Sequence, residues 1–396
     1  MSITDPLLSE EDVFFRLQLA RSAGVGFQTY QKLVARYERA ELAIRAITEN
    51  PQLHRVTLAC SRLIRLEIKE TYDAQGAFIW FDDSRYPHWL KHIYDPPILL
   101  VARGRVELLS QPMLAVVGTR DPSHHGLAMV TQLTAGWSPG ESAGDGSCHP
   151  VWVSGMARGI DTQMHQSTLQ LGTIGVIATG INVCYPTENK NLYQKMFHQG
   201  LIITEMPYGT PPKAHLFPRR NRLIAGLSLA TLVVEATLRS GSLVTARMAL
   251  EHGREVMAVP ASPLDARSQG VNSLLKQGAH CITSREDLHV IWSELILAHQ
   301  LNHPFPRRSI SFTVPRKAEP DIKSQKLMEG SKVHHADNPL YQKIIKIIGA
   351  EALDVESLSE QISIPLYQLL GALAELELQG ILERDTLHRY HRFGTK

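Results

Sequence analysis

Cysteine is scarce in this chain, and none of it is spaced for chemistry. Cys60, Cys148, Cys184 and Cys281 lie far apart with no CxxC pair, which gives neither a zinc signature nor a dense disulfide framework and fits a reduced, cytoplasmic chain. Long apolar runs are missing too: no stretch approaches the roughly 18 uninterrupted apolar residues of a membrane span. The opening MSITDPLLSEEDVFF places acids ahead of any apolar run, unlike a secretory leader. Nor is there an excess of either charge, because 41 Lys and Arg face 39 Asp and Glu, a formal net charge of +2. Any site for an anionic polymer must therefore be local rather than global.

What is present is length and a change of pattern along it. A chain of 396 residues exceeds the roughly 250–300 at which a single core stops growing. Residues 10 to 72 read as helical, with Val13, Leu17 and Leu19, then Leu33, Val34 and Tyr37, then Leu42, Ile44 and Ile47 at helical spacing. The turn at Gly24-Val25-Gly26 is either the hairpin of a helix-hairpin-helix module, whose glycines let amides approach a phosphate, or a tight turn in a small helical bundle. Pro87, Pro96 and Pro97 then forbid a long helix, and Ile98 to Val101 reads as a short strand.

From Met113 onward strands alternate with helices, the signature of a parallel sheet covered on both faces. The predicted strands are 114–117, 150–154, 173–178, 200–204, 230–235 and 255–259. The first ends at Gly118-Thr119-Arg120 without a GxGxxG fingerprint, so a dinucleotide site is not indicated. The second runs into Ser154-Gly155-Met156-Ala157-Arg158-Gly159, and the fifth is followed by Ser240-Gly241-Ser242 at the start of a helix carrying Thr245. An arginine-rich turn, Arg219 to Arg222, precedes a helix expected to begin near Asn221. All four turns should meet at the carboxyl edge of one sheet. Amides, hydroxyls and arginines gathered there suit phosphate oxygens.

The motifs VVGTR, SGMARGID, GTIGVIATGINVCYP, FPRRNRLIAGLS, VVEATLRSGSLVTA and GREVMAVP, in this order, resemble the DNA-processing protein A family (DprA, also called Smf). The resemblance covers residues 80 to 285 densely. It implies an α/β protein: a Rossmann-like parallel sheet core, an N-terminal helical domain of the SAM or helix-hairpin-helix kind and a C-terminal winged-helix domain. The boundaries expected are 1–75, 76–298, a linker at 299–338, and 339–396.

It also implies binding of single-stranded DNA during natural transformation, protection of that strand, and loading of the recombinase RecA with displacement of single-strand-binding protein. The family acts as a homodimer with no established catalytic step, and no metal or cofactor is called for. The residues expected on DNA are Gly118, Thr119, Arg120, Ser154, Gly155, Arg158, Gly159, Phe217, Arg219, Arg220, Asn221, Arg222, Ser240, Gly241, Ser242 and Thr245. Two places depart from the family's pattern. Val259-Pro260-Ala261 lacks the usual glycine after proline, with Gly270-Val271-Asn272 lacking a hydroxyl or thiol, and Met164 precedes His165 where alanine is usual.

A competing reading is an enzyme resembling nucleotide phosphoribohydrolases, with Glu205 or Glu235 acting on a ribosyl centre. Against it, Ser240-Gly241-Ser242 lacks that family's double glycine. The alternative role for Glu235 is a strand-end residue binding backbone amides. Beyond residue 298, Arg307, Arg308, Arg316 and Lys317 belong to a Pro- and charge-rich tether. The final unit reads as three helices and a two-stranded wing at 380–384 and 387–390. Glu375 and Glu377 on its third helix disfavour DNA contact there and favour protein interaction or domain packing.

Overall fold

Short apolar runs and amphipathic stretches in alternation build a nine-stranded, mostly parallel sheet in the computed structural model. Residues 8–50, 56–137, 149–300 and 339–348 are described, with Leu358, Gln361, Ile362, Leu369, Ala372, Leu373, Leu376, 381–384 and 390–392 beyond them. The chain divides into two compact units, Met1–Val314 and Pro315–Lys396.

In the first unit the strands are β1 (Gly76–Trp80), β2 (Leu99–Gly104), β3 (Met113–Val117), β4 (Val151–Ser154), β5 (Thr173–Val176), β6 (Leu201–Thr204), β7 (Ala230–Val233), β8 (Glu255–Ala258) and β9 (His280–Cys281). Their order is β1-β2-β6-β5-β4-β3-β7-β8-β9. From β3 the chain steps outward through β4, β5 and β6, then returns to place β7 on the other side of β3. Leu114 pairs with Trp152 on one flank and Val117 with Val233 on the other, both in parallel register. This reversal between β3 and β7 opens a crevice at the strands' carboxyl ends, where ligands of open α/β sheets bind. At one edge β1 and β2 run antiparallel to their neighbours. Strand β1 is buried at all five residues like its neighbours, but no glycine turn and following helix mark it in the sequence.

Both sheet faces are covered. Ala115 and Val117 point to one side with Leu223, Ile224 and Leu227, and Leu114, Val116 and Trp152 point to the other with Val130, Leu133, Met164 and Trp292. The covering helices are α5 (His124–Thr134), α6 (Ile160–Thr168), α7 (Lys190–Gln199), α8 (Leu216–Leu227), α9 (Gly241–Glu251), α10 (Gln269–Lys276) and α11 (Arg285–Gln300). The N-terminal helices α1 (Glu10–Arg21), α2 (Phe27–Tyr37), α3 (Ala40–Glu49) and α4 (Ser61–Asp73) share a core with this sheet, since Val13, Phe14, Leu17 and Ile64 pack with Phe78, Trp80, Leu99 and Ile202. The α1–α2 turn is tied down by an antiparallel bridge between Ala23 and Thr57, with Gly24 at φ 85°.

The expected turn at 219–222 is helical: α8 begins at Leu216, five residues ahead of Asn221. Pro218 falls in its first turn, where the missing N–H has no intrahelical acceptor to lose. The helix turns roughly 100° per residue, so Arg219, Arg220 and Arg222 point in different directions.

In the second unit α12 (Pro339–Ile347) supplies Ile344, with Ile348 just past its end, to a separate core holding Leu369, Leu373, Leu376, Leu382 and Tyr390. Strands β10 (Leu382–Arg384) and β11 (Tyr390–Arg392) pair antiparallel as the wing. Residues 138–148, residues 301–338 of the tether, and Glu375 and Glu377 lie outside the described residues. Among the described residues no helix is long and apolar enough to cross a membrane.

Candidate nucleic-acid interface

The crevice between β3 and β7 holds a cavity of about 740 Å³. On the β3 side it is lined by Gly118, Thr119 and Arg120, and on the α8 side by Phe217, Arg220 and Asn221. The first turn of α9 closes it with Ser240, Gly241, Ser242 and Thr245. Ser240 is the N-cap: its hydroxyl accepts from Ser242 N at 3.2 Å and lies 2.6 Å from Ser242 Oγ. A helix start facing a cavity favours negative charge through its dipole and its amides without intrahelical acceptors. Asn221 Nδ2 donates to Gly241 O at 3.4 Å, tying α8 to that turn.

Of the second glycine turn Ala157 lines the cavity, while Ser154, Gly155 and Gly159 buttress it from behind. Ser154 is fully buried and donates to Val116 O at 2.6 Å, a bond inside the sheet. Gly155 admits the guanidinium of Arg220, for a Cβ there would fall 1.9 Å from Arg220 Nη1. Gly159 stands at φ 79°, and a Cβ on it would meet Thr119 O at 2.4 Å. A side chain at Gly159 would push the two turns apart, and one at Gly155 would displace the Arg220 guanidinium. Met156, at φ 57°, is held by Asn189 Nδ2, which donates to its carbonyl at 2.9 Å. Arg158, next to the lining residue Ala157, is exposed and lies 3.7 Å from Glu188.

The three arginines of α8 have three fates. Arg220 is only 6% exposed, donates to Val176 O at 2.6 Å, and leaves Nε without a partner. Burial lowers its pKa, partly opposed by the nearby Asp161, yet an arginine stays charged. Asp161 is buried against the same cavity, where desolvation raises its carboxyl, offset by Arg220 and by amide donors from Ala157 and Gly155. Arg219 is exposed, 3.8 Å from Glu205. Arg222 turns away from the cavity: it forms an ion pair with Glu205 and donates to Asp95 O at 2.5 Å.

In the cavity wall the Arg120 guanidinium sits 5.7 Å from the centroid of Phe217, a cation–π contact, and the Tyr185 ring centroid lies 5.5 Å from that of Phe217. Tyr185 and Asp161 line the cavity but were not singled out from the sequence. An aromatic just before Pro186, in the loop after a sheet strand, was the available signal for Tyr185.

The carboxylates that a ribosyl hydrolysis would require are occupied. Glu235 accepts from Ser123 N at 2.9 Å and from Ser123 Oγ, bracing the start of α5. Glu205 is bound by Arg222, while its backbone oxygen accepts from Arg21 Nη1 at 2.7 Å.

Comparison with known proteins decides the lineage of this architecture. A family model for DNA recombination-mediator protein A matches residues 77–293. The chain belongs to that family. Models for a DprA-like N-terminal HHH domain and a DprA winged helix domain match residues 10–67 and 333–386. DNA processing protein DprA of Streptococcus pneumoniae is 42% identical over 208 residues, 52% of this chain and 71% of that protein. DprA of Bacillus subtilis is 41% identical over 250 residues, covering 62% and 76%. The Smf protein of Escherichia coli is 34% identical over 307 residues, covering 76% and 73%. The X-ray structure of the Streptococcus pneumoniae protein superposes with a TM-score of 0.57 at 31% identity, covering 70% of this chain and 95% of that one.

The residues that depart from the DprA pattern are not among those lining the cavity. Val271 is fully buried in the core, and Asn272 Nδ2 donates to Ala261 O at 2.9 Å. Met164 is fully buried against Leu114 and Trp152, and His165 Nδ1 bonds Thr173 Oγ1 at 2.7 Å.

Proposed function

We propose that this DprA-family chain is a single-stranded DNA-binding recombination mediator and that the crevice between β3 and β7 is part of the groove for the strand. The observation that carries this is the Arg120–Phe217 contact at the mouth of the cavity. It sets a phosphate-binding cation on a flat aromatic, the pairing that unpaired polynucleotides need. Arg120, Arg158 and Arg219 meet phosphates. Thr119, Gly118 and the Ser240-Gly241-Ser242 helix start with Thr245 receive a further phosphate from within. Arg220 and Asn221 form the floor, shaped by Ser154, Gly155 and Gly159.

The chain protects incoming single strands in natural transformation and loads RecA onto them, displacing single-strand-binding protein. It acts in the cytoplasm as a homodimer and by binding alone, without a chemical step. The C-terminal winged helix serves protein contact or domain packing.

Assembly of RecA on a long single strand already coated with single-strand-binding protein tests this reading. Addition of the chain should shorten the lag before RecA becomes active on that strand, and Arg120→Ala should restore the lag. An unchanged lag with wild-type protein would remove the mediator role.

A further inference from the structure

We infer that Tyr185 is a base-stacking residue, forming with Phe217 a two-ring platform for a nucleobase whose neighbouring phosphate is met by Arg120. This rests on the single-stranded DNA reading above and adds to it a contact for the base.

Tyr185 is 38% exposed on the cavity wall. Its backbone is pinned from both directions: Tyr185 N donates to Tyr193 Oη at 3.4 Å, and Tyr193 Oη donates to Tyr185 O at 3.0 Å. The Tyr193 ring is itself buried in the core at 2% exposure. A rigid loop thus presents a large aromatic to solvent at a polar cavity, where burial gives no reason for one. Tyr185 and Phe217 are tilted by 56° with centroids 5.5 Å apart, so they make an open angle rather than a closed stack. Arg120 stands over Phe217, which places positive charge beside the rings. A nucleobase has the flat shape and the attached anion to use both. Bases of a duplex are stacked and paired already, so the partner is an unpaired strand.

Binding of the full chain to two oligonucleotides of equal length tests this, one carrying bases throughout and one with abasic sites in their place. A 2-aminopurine in the first reports stacking as fluorescence quenching. Wild-type protein should prefer the base-bearing strand by about tenfold, within the range for one stacked base. Tyr185→Leu keeps apolar packing on Phe217 but removes the π-face. It should lose most of that preference and the quenching, leave abasic affinity unchanged, and be rescued by Tyr185→Trp. An unchanged preference in Tyr185→Leu, or an equal loss on both strands, would overturn the platform while binding that still depends on Arg120 upholds the groove. Absence of binding by the wild type to either strand would overturn both.

Discussion

Arg222 and Glu205 form an ion pair in the interior, with side chains 13% and 10% exposed. Arg222 also reaches the backbone of Asp95, and the main chain of Glu205 is gripped by Arg21, which pairs with the buried Glu67 at 2.7 Å. A line of charges therefore joins α1 and α4 to α8. Removing Arg222 leaves Glu205, in a poorly solvated site, with the long contact to the exposed Arg219, at a cost of up to about 3–5 kcal/mol. Arg222→Ala should lower unfolding stability by about that amount in urea titration. Arg222→Lys should recover little, because a point charge cannot bond Glu205 and Asp95 together as the planar fork does.

Arg158 and Arg219 should behave in the opposite way. Their ion pairs are long and their side chains are 61% and 58% exposed, so stability hardly depends on them. Alanine at either position should leave the melting temperature unchanged. Each loss of a phosphate contact should make the plot of log affinity against log salt for single-stranded DNA shallower by roughly 0.7.

Glu235 has a structural task at the start of α5. Its carboxylate receives both the amide and the hydroxyl of Ser123, whose own Oγ caps Gly126 N at 3.0 Å. Glu235→Ala should cost about 1–3 kcal/mol by leaving these half-buried groups without their carboxylate partner. Release of ribose phosphate from nucleotides should be undetectable in wild type and variant alike. Measurable release by the wild type would favour a hydrolase.

His165 should make the fold sensitive to acid. Burial, with a smaller contribution from Arg220, pushes its pKa down to about 3 from an ordinary 6.5. Between these values the unfolded chain binds a proton that the folded chain does not, so stability falls as pH drops below 6.5. The loss from this group should reach on the order of 2 kcal/mol by pH 5. His165→Gln, which can still bond Thr173, should flatten that part of the stability profile. A profile as steep as that of the wild type would contradict it.

The resemblance in motif order led to the family, and apolar runs located the parallel strands to within a few residues. Those runs were legible because strands buried on both faces need unbroken apolar sequence. Strand β1 had the same burial but no glycine turn and following helix to mark it. Within the site, the turns at Gly118 and Ser240 could be placed because a strand end or a helix start fixes where they lie. The arginines of α8 could not be told apart, since the sequence FPRRNR does not reveal that the helix begins at Leu216 and sends each one elsewhere. The burial of Ser154 and the exposure of Tyr185 depend on contacts from distant segments, Val116 and Tyr193.

Fluorescence anisotropy with an unstructured single strand, titrated across salt concentrations for wild type and Arg120→Ala, tests the groove most directly. The expected result is affinity that falls steeply with salt, a weaker and shallower response in Arg120→Ala, and equal thermal stability for both proteins. Equal affinity and equal salt slope in the two proteins would contradict the assignment of the crevice between β3 and β7 to DNA.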